Sequence, residues 1–241
     1  KFGKTEPFLG LRKMTLNNMV EDYSLIHETL AYRAFRAAGV PAPRTGFAYV
    51  RLNGEDFGVY LNLENLDKVN LERWFGPFDD PQHLYEGEYG TDVHPGEAGK
   101  FEVDEGDDVD RADLEALISA VNASEGSGWS SQVAPFTDLS EMTRMWAVEK
   151  YIGHWDGYSG RVAPKQPNNY YLYSDPAGRF QMLPWGTDQT WIPTIGVGLP
   201  HREVTFDGNG GVLFNKCLED SECFRAYWAA LNLVVLAGAL I

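Results

Sequence analysis

The chain has 241 residues, 44% of them hydrophobic, so it is long enough to bury a sizeable core. Its formal net charge of −15 argues against nucleic acid as a partner, because a surface that follows a phosphate backbone needs a basic field. The apolar ending over residues 231–241 is far shorter than the ~20 residues of a membrane-spanning helix, so we expect no membrane span.

The chain begins with a predicted strand over residues 8–16, followed by a predicted helix over 22–38 whose cap is Asp22. Glu28 falls on the apolar face of that helix, where an unpaired carboxylate is costly to bury. A lysine on the preceding strand is the natural partner, and we expect it to be Lys13. The alternative cations are Arg12 and Lys1. A different interpretation is that Glu28 is partly exposed and Lys13 is solvated.

A β-hairpin is predicted next, because Asn53-Gly54 suits a type I′ turn between strands over 47–52 and 57–64. The order strand, helix, hairpin matches the N-terminal lobe of a protein kinase, so we place such a lobe over residues 1–65. Glu64 would then lie in the hinge that contacts the adenine of a nucleotide. The alternative is that Glu64 only ends a strand.

A long polar stretch follows, and its glycines, prolines and acidic residues are typical of a solvated insertion near residues 76–110. A short helix is predicted over 112–121 and a Ser/Gly loop over 124–131. Near the end of the chain, helices are predicted over 212–237. Their two cysteines, Cys217 and Cys223, fit either a disulfide of an exported protein or two separate thiols.

The most informative segment is 149–191, which starts at the end of a predicted helix. Asp138 can cap the start of that helix, and Gly153 ends it. Asp156 therefore lies on the loop just beyond the helix. His154 is interpreted as a packed structural histidine.

A second hairpin follows, with strands over 169–173 and 179–185 joined by a Ser-Asp-Pro-Ala-Gly turn. Asn169 stands at its entrance and Asp188 just past its exit, so we expect the two to be close together, near Asp156. Carboxylate and amide oxygens are hard ligands for Mg²⁺, and a separate aspartate can orient an attacking hydroxyl. This arrangement predicts phosphoryl transfer. The alternative is that each residue is a turn, strand-start or cap residue.

Three motifs resemble the spore-coat CotH kinase family, an atypical protein-kinase-like group: GHWDGY at 153–158, NNYYLY at 168–173 and LPWGTDQTW at 183–191. The resemblance implies that Asp156 is the catalytic aspartate and that Asn169 and Asp188 bind the metal. It also supports Glu28, within HETLAYRAFRAAGVPAP. The sequence departs from the family at Gly186, where the pattern has an aspartate, and no Gly-x-Gly-x-x-Gly loop precedes the first strand.

We therefore predict a two-lobed, α+β, protein-kinase-like fold, with a C-terminal lobe over residues 66–241. The predicted reaction transfers the γ-phosphoryl group of ATP, with Mg²⁺ or Mn²⁺, to Ser or Thr of a basic, Ser-rich protein. Lys13 and Glu28 would position the phosphates. The predicted location is the cell surface or a spore coat. The alternatives are a catalytically inactive binding protein with the same fold and an enzyme that transfers AMP.

Overall fold

The computed structural model describes residues 13–77, 83–160, 167–192 and 210–238. Within these ranges the chain forms seven strands and seven α-helices, and the strands make two antiparallel sheets. The α+β class predicted from the sequence is confirmed. No helix in the described ranges is long and apolar enough to cross a membrane.

The first sheet contains β1 (Thr15–Asn17), β2 (Thr45–Leu52) and β3 (Glu55–Leu63), in the order β1-β3-β2. Asn53 and Gly54 have φ angles of 54° and 90°, as a type I′ turn requires, so the predicted hairpin is confirmed. The strand predicted over 8–16 is observed only from Thr15, and its first residues, 8–12, lie outside the described ranges.

The helix after β1, α1 (His27–Ala37), begins five residues later than predicted. Asp22 does not occupy the cap position. Its carboxylate instead accepts hydrogen bonds from the Ser24 amide at 2.9 Å and the His27 amide at 2.7 Å. Asp22 therefore stabilises the turn that leads into the helix. The buried face of α1 packs into the main core.

The second sheet has the order β5-β4-β6-β7, with strands β4 (His83–Gly87), β5 (Glu102–Gly106), β6 (Tyr170–Ser174) and β7 (Phe180–Pro184). The predicted hairpin of β6 and β7 is confirmed. The solvated insertion predicted near 76–110 is wrong, because β4 lies inside this sheet and its Leu84 and Tyr85 are fully buried. Acidic residues such as Glu86 and Glu102 stand directly beside buried aromatic residues, Tyr85 and Phe101, so the average composition of the stretch hides two strands.

Six further helices complete the described part of the chain. They are α2 (Lys68–Phe75), α3 (Ala112–Asn122), α4 (Trp129–Val133), α5 (Leu139–Ile152), α6 (Val212–Glu219) and α7 (Ser221–Gly238). Helix α5 packs against α7 and β7 at the centre of the main core. The loop predicted over 124–131 is only partly correct, because Trp129 is fully buried and starts α4. Cys217 and Cys223 form a disulfide between α6 and α7.

Candidate active site

The loop that carries Asp156 begins where α5 ends. Gly153 takes a left-handed conformation with φ 69°, as predicted for a residue that stops a helix. The loop then folds back onto Glu149 in the last turn of α5, whose carboxylate is fully buried. It accepts hydrogen bonds from the Tyr158 amide at 2.9 Å and the Ser159 amide at 2.8 Å. Both ends of the loop are therefore fixed to one helix.

His154 connects this loop to the exit of β7. It is buried, with Nδ1 at 3.4 Å from Glu149 Oε1 and Nε2 at 3.5 Å from Asp156 Oδ1 and 3.3 Å from the Gly186 carbonyl oxygen. Burial acts to lower the pKa of His154, but Glu149 and Asp156 outweigh it and raise this pKa above its ordinary value. The histidine is packed, as interpreted from the sequence, and it also contacts Asp156. Sequence reasoning missed Glu149, because its contact with this loop depends on the loop folding back onto α5.

Asn169, at the entrance of the second hairpin, directly contacts Asp156. Its side-chain Nδ2 donates a hydrogen bond to Asp156 Oδ2 at 2.9 Å. Its backbone carbonyl oxygen accepts a hydrogen bond from the Trp185 amide at 3.1 Å. Asp156 is 7% exposed, and burial raises its pKa, with the charge of Asp188 acting in the same direction and that of His154 against it. Asn169, at the entrance of the hairpin, therefore contacts both Asp156 and Trp185 at the hairpin exit.

Gly186 is the position where the sequence departs from the family pattern. Its φ of 52° is left-handed, and a Cβ atom placed there would lie 2.4 Å from Asn169 Oδ1. An aspartate at this position would have to displace the Asn169 side chain. The absence of a side chain at Gly186 is therefore linked to the position of Asn169 beside Asp156.

Asp188 lies two residues further on, in a 3₁₀ turn (Thr187–Gln189) that packs against α1. Glu28 on α1 is 3% exposed; burial and then the charge of Asp188 raise its pKa to about 7. Asp188 therefore repels both Glu28 and Asp156, which come from separate parts of the chain. Such repulsion favours a cation in this region.

The ion pair expected between Lys13 and Glu28 is not formed. Asn17 on β1 donates a hydrogen bond from Nδ2 to Glu28 Oε2 at 2.7 Å, while Lys13 is exposed and precedes the strand. The cations named as alternatives, Arg12 and Lys1, lie outside the described residues. A contact of Lys13 with a nucleotide remains a prediction.

Glu64, the predicted hinge residue, follows β3, and its carboxylate binds the guanidinium groups of Arg44 and Arg73. These ion pairs outweigh burial and keep the pKa of Glu64 below its ordinary value. Its carboxylate is therefore a structural anion in this part of the molecule. A contact of this segment with adenine remains a prediction.

The donor atoms of the site fit a magnesium-type ion. Asp156 Oδ1 accepts no hydrogen bond in the described part of the chain, although it is buried. In that same part, no three His, Cys, Asp or Glu side chains are placed to hold a metal together. Mg²⁺ in nucleotide sites commonly uses one or two protein oxygens and takes the remainder from phosphates and water. Asn169 and Asp188 suit that sparse ligand set, and the excess of carboxylates supplies the charge.

Comparisons with known proteins agree with the motifs. Residues 2–240 match the protein family described as CotH kinase protein. The chain is 28% identical over 240 residues to Inner spore coat protein H of Bacillus subtilis (strain 168), covering 94% of this chain and 63% of that protein. Inner spore coat protein H-like protein of the same organism is 42% identical over 57 residues, which is 24% of this chain and 19% of the relative. The chain therefore spans less than two thirds of these relatives.

Among solved structures, the chain is similar to one from the Shewanella oneidensis MR-1 toxin–antitoxin system, in a complex of HipA, HipB and operator DNA. The identity is 12%, the TM-score is 0.34, and the match covers 89% of this chain and 50% of that chain. At this score the likeness carries no inference. The family match, in contrast, spans nearly the whole sequence and includes every candidate site residue. The chain belongs to the CotH kinase protein family.

Proposed function

We propose that this protein is an ATP-dependent protein kinase with a two-lobed fold, in which the first sheet and α1 form the smaller lobe. The observation that carries the proposal is the direct hydrogen bond between Asn169 and Asp156 at 2.9 Å, beside the turn that holds Asp188. A carboxylate for the hydroxyl and two oxygen donors for a metal are the side chains that phosphoryl transfer requires. Family membership supports the same reaction.

Each residue has a separate role in this mechanism. Asp156 accepts a hydrogen bond from the Ser or Thr hydroxyl and aims it at the γ-phosphate; its raised pKa brings it closer to the range of a general base. Asn169 and Asp188 would hold Mg²⁺ or Mn²⁺, which when bound neutralises charge on the phosphates. Glu28 orients the Asn17 amide at the inner side of the first sheet. Lys13 is proposed to contact the phosphates.

The substrate is proposed to be a basic, Ser-rich protein, because the net charge of −15 attracts cationic partners. A spore coat or other cell-surface location is proposed from the spore coat relatives. The disulfide between Cys217 and Cys223 supports an exported protein, since disulfides persist mainly in oxidising compartments.

Calorimetric titration with ATP, with and without Mg²⁺, is the first test of this proposal. We expect wild-type binding to depend on Mg²⁺ and Asp188→Asn to abolish that dependence. Asp56→Asn on the exposed β2–β3 hairpin is the matched control and should bind as the wild type does. A folded wild-type protein that binds no ATP would overturn the kinase proposal and favour a binding protein with this fold.

Phosphoryl transfer is tested separately with Asp156→Asn and a basic, Ser-rich peptide. We expect about a 1,000-fold loss of transfer with ATP binding retained, because the change removes the group that orients the hydroxyl. Mass spectrometry of the intact product distinguishes a phosphoryl adduct from an adenylyl adduct. An adenylyl adduct would show AMP transfer and contradict the proposed reaction.

A further inference from the structure

Arg36, near the end of α1 that lies farthest from Glu28, has three other arginines and Glu64 as its charged neighbours. We call this group the arginine cluster: Arg33 and Arg36 on α1, Arg44 before β2 and Arg73 on α2. Glu28 and Arg36 are eight residues apart on one helix, so about 12 Å of helix axis separates the cluster from that residue of the candidate active site. The cluster therefore lies apart from Glu28 and adjoins the segment of Glu64.

The single carboxylate in the cluster is already saturated. Glu64 Oε1 accepts hydrogen bonds from Arg44 Nη2 at 2.7 Å, Arg44 Nε at 3.0 Å and Arg73 Nε at 3.3 Å. Its Oε2 accepts from the Arg44 amide at 2.9 Å and Arg73 Nη2 at 2.7 Å. A carboxylate offers about four lone-pair sites, so Glu64 has no capacity left for another guanidinium.

In the described ranges, the Arg36 guanidinium donates its hydrogen bond to a neutral acceptor rather than to a carboxylate. Its Nη1 donates a hydrogen bond to the Pro43 carbonyl oxygen, and its side chain is partly buried. Burial lowers the pKa of Arg36, and its neighbours Arg73, Arg44 and Arg33 lower it further, with Glu64 acting against them. In the described ranges of the chain, neither Arg36 nor Arg33 forms an ion pair with a carboxylate.

The cluster thus reverses the charge of the molecule locally. The whole chain has 35 acidic and 20 basic residues, whereas the charges that act most strongly on Arg36 are three arginines and one carboxylate, Glu64. Guanidinium groups bind the oxygens of a phosphate in pairs of parallel hydrogen bonds, and a dianion matches several of them at once. Glu64 fixes Arg44 and Arg73 in position and leaves Arg33 and Arg36 for such a ligand.

We propose that the arginine cluster is a binding site for a dianionic phosphate group, either inorganic phosphate or the phosphorylated Ser or Thr side chain of a protein. Arg36 and Arg33 contact the phosphate oxygens directly. Arg44 and Arg73, which bind Glu64 through Nε and Nη2, add positive charge nearby. None of the cluster's members belongs to the candidate metal or catalytic residues. Arg44 and Arg73 bind Glu64, whose segment is predicted to contact adenine, so the test changes Arg33 and Arg36, which form no ion pair with Glu64 in the described ranges.

Calorimetric titration of the full chain at low ionic strength tests this site with three probes: inorganic phosphate, a phosphoserine peptide and the same peptide without phosphate. We expect Arg33→Gln/Arg36→Gln to weaken binding of both phosphate-bearing probes at least tenfold. Arg51→Gln, which removes an exposed arginine paired with Asp56 on the β2–β3 hairpin, is the matched control and should change binding less than twofold. ATP binding with Mg²⁺ should be the same in all these proteins.

Tighter binding of the phosphopeptide than of inorganic phosphate would identify a phosphorylated protein as the ligand, and equal binding would identify free phosphate. The proposal is overturned if the wild type binds neither inorganic phosphate nor the phosphopeptide. It is also overturned if the unphosphorylated peptide binds as tightly as the phosphopeptide, or if the double variant binds as the wild type does. Should the double variant not fold, two single variants replace it. Arg33→Gln changes an exposed residue, and Arg36→Lys keeps the charge but loses the paired donors. Each should weaken binding of the phosphate-bearing probes, and wild-type binding by both would overturn the proposal.

Discussion

The two β-hairpins of this protein have the same local design and very different surroundings. Each joins two antiparallel strands through a turn with a left-handed glycine, Gly54 at φ 90° and Gly178 at φ 75°. Every residue of β6 is buried, whereas no residue of β2 is. The difference comes from position, because β6 lies between β4 and β7 while β2 is the edge strand of a smaller sheet.

The candidate site lies at the open end of the buried hairpin. Asn169 precedes β6 and Gly186 follows β7, so the packing that fixes these strands also fixes the groups at their ends. The β2–β3 hairpin, in contrast, exposes Phe47, Tyr49 and Val59 by 53%, 63% and 44%. The buried hairpin thus positions the candidate site residues, and substitutions on the exposed hairpin should cost less stability.

The largest effect expected from shortening a side chain is a difference in stability between matched truncations of the two hairpins. Leu172→Ala on β6 should lower the free energy of unfolding by about 3 kcal/mol, because it leaves a cavity in a fully buried position. Val59→Ala on β3 should lower it by less than about 1 kcal/mol, since that side chain is exposed. Urea unfolding followed by circular dichroism measures both. Equal losses would contradict the distinction between the hairpins.

A buried carboxylate that contacts β7 gives a second effect on stability, and this one depends on pH. Glu141 on α5 is 2% exposed, it accepts a hydrogen bond from the Met182 amide at 3.0 Å, and burial raises its pKa to about 8. The folded state therefore holds a proton that the unfolded state loses from about pH 4.5 upwards. This group's contribution to stability is complete below that pH, falls between about pH 4.5 and 8, and is constant above.

Glu141→Gln keeps the acceptor for Met182 and removes the titration. Because the pKa of Glu141 is about 8 in the folded state and about 4.5 in the unfolded state, the variant should be more stable than the wild type by up to about 5 kcal/mol at pH 8.5. This advantage should shrink as the pH falls towards 4.5. Glu55→Gln, at an exposed position of the other hairpin, is the matched control and should follow the wild-type pH profile. Urea unfolding at several pH values measures the difference. A constant offset at every pH would show that Glu141 does not titrate in this range.

The elements that depend on local chemistry could be predicted from the sequence. The Asn53-Gly54 turn, the cap Asp138 and the stop at Gly153 each act on neighbouring residues, and the structure has all three as predicted. The pairing across the ends of the second hairpin was predictable for the same reason, because it brings Asn169 beside Trp185 at the exit of β7. The closeness of Asn169 and Asp188 stays a prediction.

The remainder depends on contacts between distant parts of the chain. Strand β4 was missed because its pairing with β6 joins residues about 90 positions apart, and its acidic neighbours dominate the composition. The partner of Glu28 was expected to be a cation, but the neutral side-chain amide of Asn17 donates a hydrogen bond to its carboxylate instead. The contact of Glu149 with the Asp156 loop requires the loop to fold back, which no short sequence pattern specifies.

The smallest expected effect on stability, and the sharpest comparison of the two hairpins, comes from matched glycine substitutions. Gly186 after β7 and Gly54 between β2 and β3 both have positive φ, so alanine at either position should cost about 1 kcal/mol of stability. A Cβ at Gly54 meets no atom within 4 Å, whereas at Gly186 it meets Asn169 Oδ1 at 2.4 Å. Gly186→Ala must therefore move Asn169 away from Asp156.

The two variants should separate in function even though they are close in stability. We expect Gly186→Ala to weaken Mg²⁺-dependent ATP binding at least tenfold and Gly54→Ala to leave it within twofold of the wild type. Calorimetry measures the binding, and urea unfolding checks that both proteins remain folded. Equal ATP binding by both variants would mean that the position of Asn169 does not matter for the metal, and the ligand role would then fall on Asp188 alone.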